Sequence, residues 1–208
     1  CLHPLVQRNT STFVEQRFSS TFSGEEFFLA DHMINGRRFL PGVVYLEMAR
    51  AALELASDGQ SSAASHAVVR LTDVVWIRPI IVGAEPVEVH MRLLPDESGR
   101  VTFEVYSTVN QEAVVHCRGT AVLAPTHETE ALPRLDLAAL REQCNWSFLT
   151  GAQCYQAFQT MHITYGLGHQ GIDALYQGVE HGAVRVLARL ILPKHLRADF
   201  DRFTLHPS

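Results

Sequence analysis

Residues 25–52, EEFFLADHMINGRRFLPGVVYLEMARAA, set the architecture that we expect for this chain. From Val43 to Ala56, apolar residues recur among good helix formers, and this pattern predicts a helix. Pro41 and Gly42 stand at its entrance, where the missing N–H of a proline leaves no hydrogen bond unmade. The residues before Pro41 are expected to form a loop that leads into this helix.

Four β-rich runs follow the helix between Val68 and Leu123. They are AVVRLTDVVWI (67–77), PVEVHMRLL (86–94), RVTFEVYSTV (100–109) and AVVHCRGTAVL (113–123). Apolar residues alternate most clearly at Val87, Val89, Met91 and Leu93, and at Val101, Phe103 and Val105. Such alternation is typical of half-buried antiparallel strands. One helix followed by successive strands predicts an α+β fold in which a curved antiparallel sheet wraps around a central helix.

A change of composition divides the chain into two predicted units. The stretch APTHETEALPRLD (124–136) is rich in proline and charge and has no periodicity, so residues 125–134 are interpreted as a linker between units 1–124 and 135–208. The second unit has predicted helices around 137–144 and 152–161 and predicted strands at 172–180 and 183–193. In the last strand the alternating apolar residues are Val184, Val186, Ala188, Leu190 and Leu192. This unit repeats the start of the first, and we expect it to be incomplete at Ser208.

Composition excludes several classes of function. The chain has 208 residues, 47% of them hydrophobic, and a formal net charge of −5 without a basic block, which argues against nucleic-acid binding. Without an apolar run long enough to span a membrane and without a signal peptide, a cytoplasmic location is expected. The four cysteines show no CxxC spacing and are expected to be free, mostly buried thiols. The histidines show no metal-ligand spacing, so no metal site is expected.

His32, Gly36 and Pro41 form an HxxxGxxxxP pattern directly before the predicted helix. With this pattern, residues 25–52 resemble the N-terminal half of polyketide synthase dehydratase domains, especially those of synthases with free-standing acyltransferases. These domains have a double hot-dog fold, in which each unit is an antiparallel sheet wrapped around a helix. The family catalyses loss of water from a 3-hydroxyacyl thioester, and the resemblance makes His32 the catalytic base. Histidine suits that role because its ordinary pKa of about 6.5 leaves it neutral and basic near working pH.

Two further motifs occur in the order that the family has. Tyr165, Gly166, Gln170 and Gly171 in YGLGHQGI (165–172) resemble its YGPxxQGI motif, and LHPS (205–208) resembles the start of its HPxLLDxxxQ motif. Leu167 stands where the family usually has proline, which predicts a loosened loop and an altered substrate channel. The general acid of the family is an aspartate a few residues after the His-Pro pair, and the chain ends at Ser208 before that position.

The resemblance also implies the residues and molecules that bind the substrate. Gly36 would let the backbone approach the thioester carbonyl, and the helix end after Pro41 would stabilise the developing enolate oxygen. The remaining residues implied in substrate binding are Tyr165, Gly166, Gln170 and His206. No organic cofactor is implied, because a base and an acid suffice. The implied partners are an acyl carrier protein, whose phosphopantetheine arm carries the substrate, neighbouring domains such as the ketosynthase, and a second copy through the parent synthase.

Alternative interpretations remain open at this level. Asp31 is a candidate acid, but consecutive residues of an extended loop point to different sides, which favours a solvated or turn-forming role. His169 and His206 are interpreted as residues that border the pocket or fix a turn. For Tyr165, packing at a turn is the alternative to contact with the substrate. Related domains shift double bonds, close pyran rings or assist β-branching by conjugate addition. A silent structural or carrier-docking domain is the alternative from another class, and an intact His32, Gly36 and Pro41 argue against it.

Overall fold

The helices and strands of the first half surround one long helix. The structure is a computed structural model, and it describes residues 2–57, 67–125, 134–180 and 182–208. The elements up to residue 125 are β1 Arg8–Asn9, β2 Gln16–Phe22, α1 Phe27–Ala30, β3 His32–Ile34, β4 Arg37–Phe39, α2 Gly42–Ser57, β5 Ala67–Trp76, β6 Ile81–Val82, β7 Val87–Pro95, β8 Val101–Val109 and β9 Glu112–Pro125. The later ones are α3 Leu137–Gln143, β10 Ser147–Thr150, α4 Gly151–Thr160, β11 Ile163–Tyr165, β12 Ile172–Glu180 and β13 Ala183–Leu190, with 3-10 turns at Leu167–His169 and Lys194–Arg202.

Helix α2 is the centre of the core. It spans Gly42–Ser57, which confirms the helix predicted for Val43 to Ala56. Its buried face includes Val44, Tyr45 and Met48, which are at most 1% exposed. These positions follow the three- and four-residue spacing of one helix face, and that spacing turns their side chains toward the sheet.

A six-stranded antiparallel sheet wraps around α2 in the order β1-β2-β7-β8-β9-β5. The four predicted strand runs are confirmed as β5, β7, β8 and β9, and the alternation in β7 and β8 does bury one face. Strand β2 was not predicted, because its sequence QRFSSTF has polar residues in place of an apolar alternation. Ser19 and Ser20 are nevertheless buried, and Ser20 compensates by donating a hydrogen bond to the carbonyl of Leu5.

The second half contains an antiparallel sheet in the order β10-β12-β13, on which α3 and α4 pack. The predicted helices and strands of this half are therefore found, although the linker prediction falls mostly on residues 126–133, which lie outside the described residues. The face of β13 that was expected to be buried is exposed within the described chain, so this prediction is wrong. Val184, Val186 and Leu190 are 55–69% exposed. The small cluster beside α3 instead uses the other face, through Leu187.

A third sheet joins the two halves, and the sequence did not predict it. Its strand order is β11-β3-β4-β6, so β11 from the second half pairs with β3 from the first. Residues 32–39, expected to be a loop, are in fact a hairpin made of β3 and β4. This hairpin precedes α2 directly, and the sheet carries the motif residues of both halves.

The cysteines of the described chain agree with the sequence interpretation. Cys117, Cys144 and Cys154 are free and buried, while Cys1 lies outside the described residues. Burial raises the pKa of the Cys117 thiol to about 11, which keeps it protonated and unreactive. Within the described residues, none of the helices has both the length and the apolar character needed to cross a membrane.

Tyr45 provides a test of the core around α2. Its buried hydroxyl accepts a hydrogen bond from the backbone N–H of Ile80 at 3.0 Å. Tyr45→Phe leaves that N–H buried without an acceptor, so we expect the free energy of unfolding to fall by about 1–3 kcal/mol. Urea denaturation measures the change. Tyr176→Phe is the matched control, because this side chain is also largely buried but its hydroxyl makes no hydrogen bond within the described chain. An equal loss in both variants would contradict this account.

Candidate active site

A tight hairpin holds His32. The turn between β3 and β4 consists of Asn35 and Gly36, with φ angles of 50° and 72°. Positive φ at both central residues defines the type I′ turn, for which Asn-Gly is a favoured sequence. The turn fixes the register of the two strands, so the half-buried His32 faces Phe39 across the hairpin.

The hydrogen bond of His32 determines which ring nitrogen carries the proton. Nδ1 of His32 lies 2.8 Å from the carbonyl oxygen of Phe39. Because a carbonyl can only accept, Nδ1 must be the protonated nitrogen of the neutral ring. Nε2 then carries the lone pair, and it has no hydrogen-bond partner among the described residues. This is the arrangement that a histidine base requires.

Strand β11 brings the second motif to His32. In the pairing of β11 with β3, Tyr165 is the direct partner of His32. The ring centroids of His32 and Tyr165 are 5.6 Å apart, and those of His32 and His169 are 5.3 Å apart. Tyr165 also contacts Tyr155 and Phe158 of α4 edge to face. Residues from three separate stretches of sequence therefore form one aromatic cluster around the imidazole.

Asp31 holds the loop that carries Tyr165 and His169. Its carbonyl accepts a hydrogen bond from Gly166 N–H at 2.8 Å, and its carboxylate accepts one from Gly168 N–H at 2.6 Å. The contact is so close that a Cβ on Gly166 would overlap Oδ1 of Asp31. Asp31 does form a turn, the one that ends α1, as expected. Its carboxylate has a further role that was not expected, since it holds the second motif against the first.

A cavity of about 420 Å³ opens beside this cluster. Its lining is aromatic and aliphatic, with a few polar atoms. The residues that line it include Tyr155, Phe158, Tyr165, His169, Gly171, Ile172, Leu190, Ile191, Leu192, His206 and Ser208. His32 itself does not line the cavity, but its ring contacts two residues that do, Tyr165 and His169. Such a concave, mostly apolar space with a few polar groups is typical of a small-molecule site.

Burial affects the ionisation of the groups around the cavity. It lowers the pKa of His169 to about 4, with a further contribution from the neighbouring His32. It also lowers the pKa of His206 and raises that of the Tyr165 hydroxyl. Near neutral pH these three groups are therefore uncharged, and Tyr165 keeps its proton as a hydrogen-bond donor.

Glu47 anchors the segment that leads to His206. This carboxylate of α2 is fully buried, and it accepts the N–H groups of Thr204 and Leu205 at 2.9 Å each. Arg50 donates two further hydrogen bonds of 2.8 Å, and His3 lies 3.4 Å from the same carboxylate. These partners outweigh the effect of burial and lower the pKa of Glu47 to about 2. Glu47 thereby ties the His-Pro segment to the central helix.

The other motif residues have roles within the backbone. Gly36 supplies the positive φ of the hairpin turn and lines a different cavity, together with Arg37 and Arg38. Pro41 is buried, and its carbonyl accepts the hydrogen bond of Val44 N–H at 3.0 Å in the first turn of α2.

The loop at 165–171 shows a similar division of roles. The exposed Gln170 donates its amide to the carbonyl of Tyr165 at 3.0 Å, which closes the loop on itself. Leu167 is 70% exposed and is not part of the cavity lining, although it was expected to alter the channel. The aromatic ring of His206 stacks on Phe27 at 5.7 Å, next to the cavity. Of the site residues that the sequence suggested, Tyr165 and His206 thus line the cavity beside His32.

The chain was also compared with known proteins. A family model described as polyketide synthase dehydratase domain matches residues 3–108, just over half of the chain. Polyketide synthase PksM of Bacillus subtilis (strain 168) is 45% identical over all of this chain, which spans 5% of that protein. Polyketide synthase PksN of the same strain is 40% identical over 99% of the chain, or 4% of that protein.

Solved structures give the same result. A trans-AT PKS dehydratase domain from Brevibacillus brevis has a TM-score of 0.90 and 44% identity, covering all of this chain and 70% of that one. The dehydratase domain of RzxB from Pseudomonas fluorescens has a TM-score of 0.80 and 30% identity, covering 99% of this chain and 70% of that one. The dehydratase domain from the CurF module of curacin polyketide synthase has a TM-score of 0.84 at 24% identity over all of this chain and 72% of that one, a likeness of fold.

The chain has an α+β hot-dog fold, as the resemblance implied, because an antiparallel sheet wraps around the central helix α2. The imidazole of His32 lies beside a cavity of this fold. The chain belongs to the polyketide synthase dehydratase domain family. It spans about a twentieth of the length of the curated synthases that it matches.

The anchor at Glu47 predicts a pH dependence of stability. The pKa of Glu47 is lowered from 4.5 to about 2 in the folded chain. Its contribution to the free energy of unfolding is therefore fully present above pH 4.5 and is lost as the pH falls through 2. A shift of this size corresponds to about 3 kcal/mol. We expect Glu47→Gln to be less stable than the unchanged protein at pH 7, and the difference to shrink toward pH 3. Urea denaturation across this range measures it, with Glu97→Gln, an exposed site, as the control. A difference that is independent of pH would contradict the prediction.

Proposed function

We propose that this chain supplies the base that removes water from a 3-hydroxyacyl thioester carried on an acyl carrier protein. The observation that carries this proposal is the state of the His32 ring. Its Nδ1–H is committed to the Phe39 carbonyl at 2.8 Å, and its Nε2 lone pair is left unpaired beside the cavity-lining rings. A second observation supports it: the cavity of about 420 Å³ has the size of a site for an acyl chain.

In this mechanism Nε2 of His32 takes a proton from C2 of the acyl group. The electron pair of that C–H bond forms the double bond between C2 and C3, the C3–O bond breaks, and the hydroxyl leaves as water with a proton from a general acid. None of the cavity-lining residues of the described chain is an aspartate or a glutamate. We propose, as the resemblance implies, that the acid is an aspartate that follows the His206-Pro207 pair in the natural polypeptide.

The substrate-binding roles follow from the groups around the cavity. We assign to the protonated Tyr165 hydroxyl a hydrogen bond to the substrate, since burial raises its pKa and it has no partner within the described chain. The helix end after Pro41 is assigned to the developing enolate oxygen. Gly36, Gly166 and Gln170 act on the substrate indirectly, because they shape the hairpin and the loop. His206 borders the cavity.

The proposed partners follow from the chemistry of the substrate. The thioester would arrive on the phosphopantetheine arm of an acyl carrier protein, and the ketosynthase and other domains of the same synthase would be its neighbours. We propose a homodimer through that synthase. The reaction balances with one base and one acid, so the proposed mechanism uses no organic cofactor.

Replacement of the base tests the proposal. His32→Ala should lower the rate of water loss from a 3-hydroxyacyl carrier protein by roughly 10² to 10⁴, because the neighbouring His169, with its pKa lowered to about 4, is a weaker base. The measurement is mass spectrometry of the acyl carrier protein after incubation with the full polypeptide that carries this chain. The control is His195→Ala, which removes an exposed imidazole outside the cavity lining.

Two results would contradict the proposal. Unchanged water loss in His32→Ala would remove His32 from the mechanism. No water loss by the unchanged protein, but addition to an unsaturated acyl thioester, would replace dehydration with conjugate addition, the chemistry of β-branching.

A further inference from the structure

His169 is a second anchored imidazole beside the cavity, and the proposed mechanism does not use it. Its Nε2 lies 3.2 Å from the carbonyl oxygen of Phe28, at the centre of α1. Because that carbonyl can only accept, Nε2 carries the proton and Nδ1 carries the lone pair. His32 has the opposite assignment, with its proton on Nδ1. The loop around His169 is fixed independently, by the hydrogen bonds of Gly166 and Gly168 to Asp31.

Nδ1 of His169 is open to the cavity. The ring lines the cavity, and Nδ1 neither makes a hydrogen bond nor belongs to the enclosed, unpaired polar atoms of the described chain. Polar atoms also line this space in Tyr155, Tyr165, His206 and Ser208. Nδ1 of His206 and the hydroxyl of Ser208 are hydrogen-bonded to each other at 2.7 Å, and Nε2 of His206 is enclosed. Tyr165 offers a hydroxyl proton, and the Tyr155 hydroxyl already accepts the N–H of Ile172 at 2.7 Å. His169 therefore presents a lone pair without a proton to whatever occupies the space next to His32.

We propose that Nδ1 of His169 accepts the hydrogen bond of the substrate's 3-hydroxyl group, which makes His169 a specificity-determining residue of the site. This inference rests on the proposed function, in which His32 acts at C2. The hydroxyl is attached to the adjacent carbon. The rings of His32 and His169 are neighbours, with centroids 5.3 Å apart. A substrate whose C2 lies at His32 therefore has its 3-hydroxyl oxygen, two bonds from C2, close to His169.

This hydrogen bond would serve the elimination. A hydroxyl that donates its proton to His169 turns its oxygen lone pairs away from that ring, where they are free to accept the proton of the general acid. The role requires a neutral ring at working pH. Burial and the neighbouring His32 lower the pKa of His169 to about 4, so it remains an acceptor and does not compete with His32 as a base. An acyl group without the hydroxyl would leave Nδ1 unpaired in the filled cavity.

Two variants separate the proposed role from a structural one. In His169→Gln the amide nitrogen can replace Nε2–H and keep the hydrogen bond to Phe28, but it provides no acceptor at the position of Nδ1. In His169→Asn the shorter side chain places an amide oxygen near the position of Nδ1 and gives up the bond to Phe28. If His169 only holds α1, Gln should replace it better than Asn. If it accepts the hydroxyl, Asn should replace it better.

The experiment measures binding by calorimetry, with the full polypeptide that carries this chain. The two probes are a 3-hydroxyacyl pantetheine amide and the same compound without the hydroxyl. In these amides the C2 proton is much less acidic than in a thioester, so binding is read without turnover. We expect the unchanged protein to prefer the hydroxyl probe roughly three- to tenfold, as for one neutral hydrogen bond. The preference should fall to about one in His169→Gln and persist in His169→Asn, while His195→Asn, at an exposed site, should leave it unchanged.

The outcomes distinguish this inference from the proposed function. Equal affinity of the unchanged protein for both probes, or an undiminished preference in His169→Gln, would overturn the role of His169. Failure of the dehydration assay with the preference intact would overturn the proposed function and leave the hydroxyl site in place. Loss of affinity for both probes alike in His169→Gln would show a structural role and would also overturn the inference.

Discussion

The attachment of the 166–168 loop to Asp31 is the contact on which the whole site depends. The main-chain carbonyl and the carboxylate of Asp31 accept the N–H groups of Gly166 and Gly168, and a side chain on Gly166 has no space. A hydrogen bond to a carboxylate contributes more than a neutral one, about 1.5–3 kcal/mol. Because Asp31 directly precedes His32, this attachment determines the distance between His32 and the rings of Tyr165 and His169. Together with the pairing of β11 and β3, it keeps the cavity of the second half beside His32 of the first.

Helix α2 supports the hairpin that carries His32 and the segment that leads to His206. Its burial in the six-stranded sheet fixes the hairpin that ends at Phe39, just before the helix begins. At the same time the buried carboxylate of Glu47 fixes the backbone at 204–205, on the way to His206. A buried ion pair with Arg50 is weak evidence for net stability, because both charges lose their hydration. We infer that the carboxylate of Glu47 serves mainly to position the backbone, because its hydrogen bonds to Thr204 and Leu205 hold the His-Pro segment against the central helix.

The sequence predicted α2 and strands β5, β7, β8 and β9, because their apolar periodicity reflects a buried face. It did not predict the β3–β4 hairpin, although Asn35-Gly36 is a strong signal for a type I′ turn. The buried Glu47 was also missed, since a glutamate beside Arg50 on a helix suggests an exposed pair, even though it lies three residues after the buried Val44. The pairing of β3 with β11 joins residues more than 120 positions apart, and no local pattern indicates such a contact. For the same reason the sequence identified His32 and Tyr165 as motif residues and His169 as a residue that borders the pocket or fixes a turn, but not the contact between His169 and His32.

The account depends on two neutral imidazoles with opposite protonated nitrogens, each fixed by a backbone carbonyl. Long-range ¹⁵N–¹H correlation spectra of the histidine rings at neutral pH measure this directly, since protonated and bare ring nitrogens have well-separated ¹⁵N shifts. The account predicts a proton on Nδ1 and a bare Nε2 for His32, and a proton on Nε2 and a bare Nδ1 for His169. A proton on Nε2 of His32 would mean that the nitrogen proposed as the base has no free lone pair, and it would contradict the central claim.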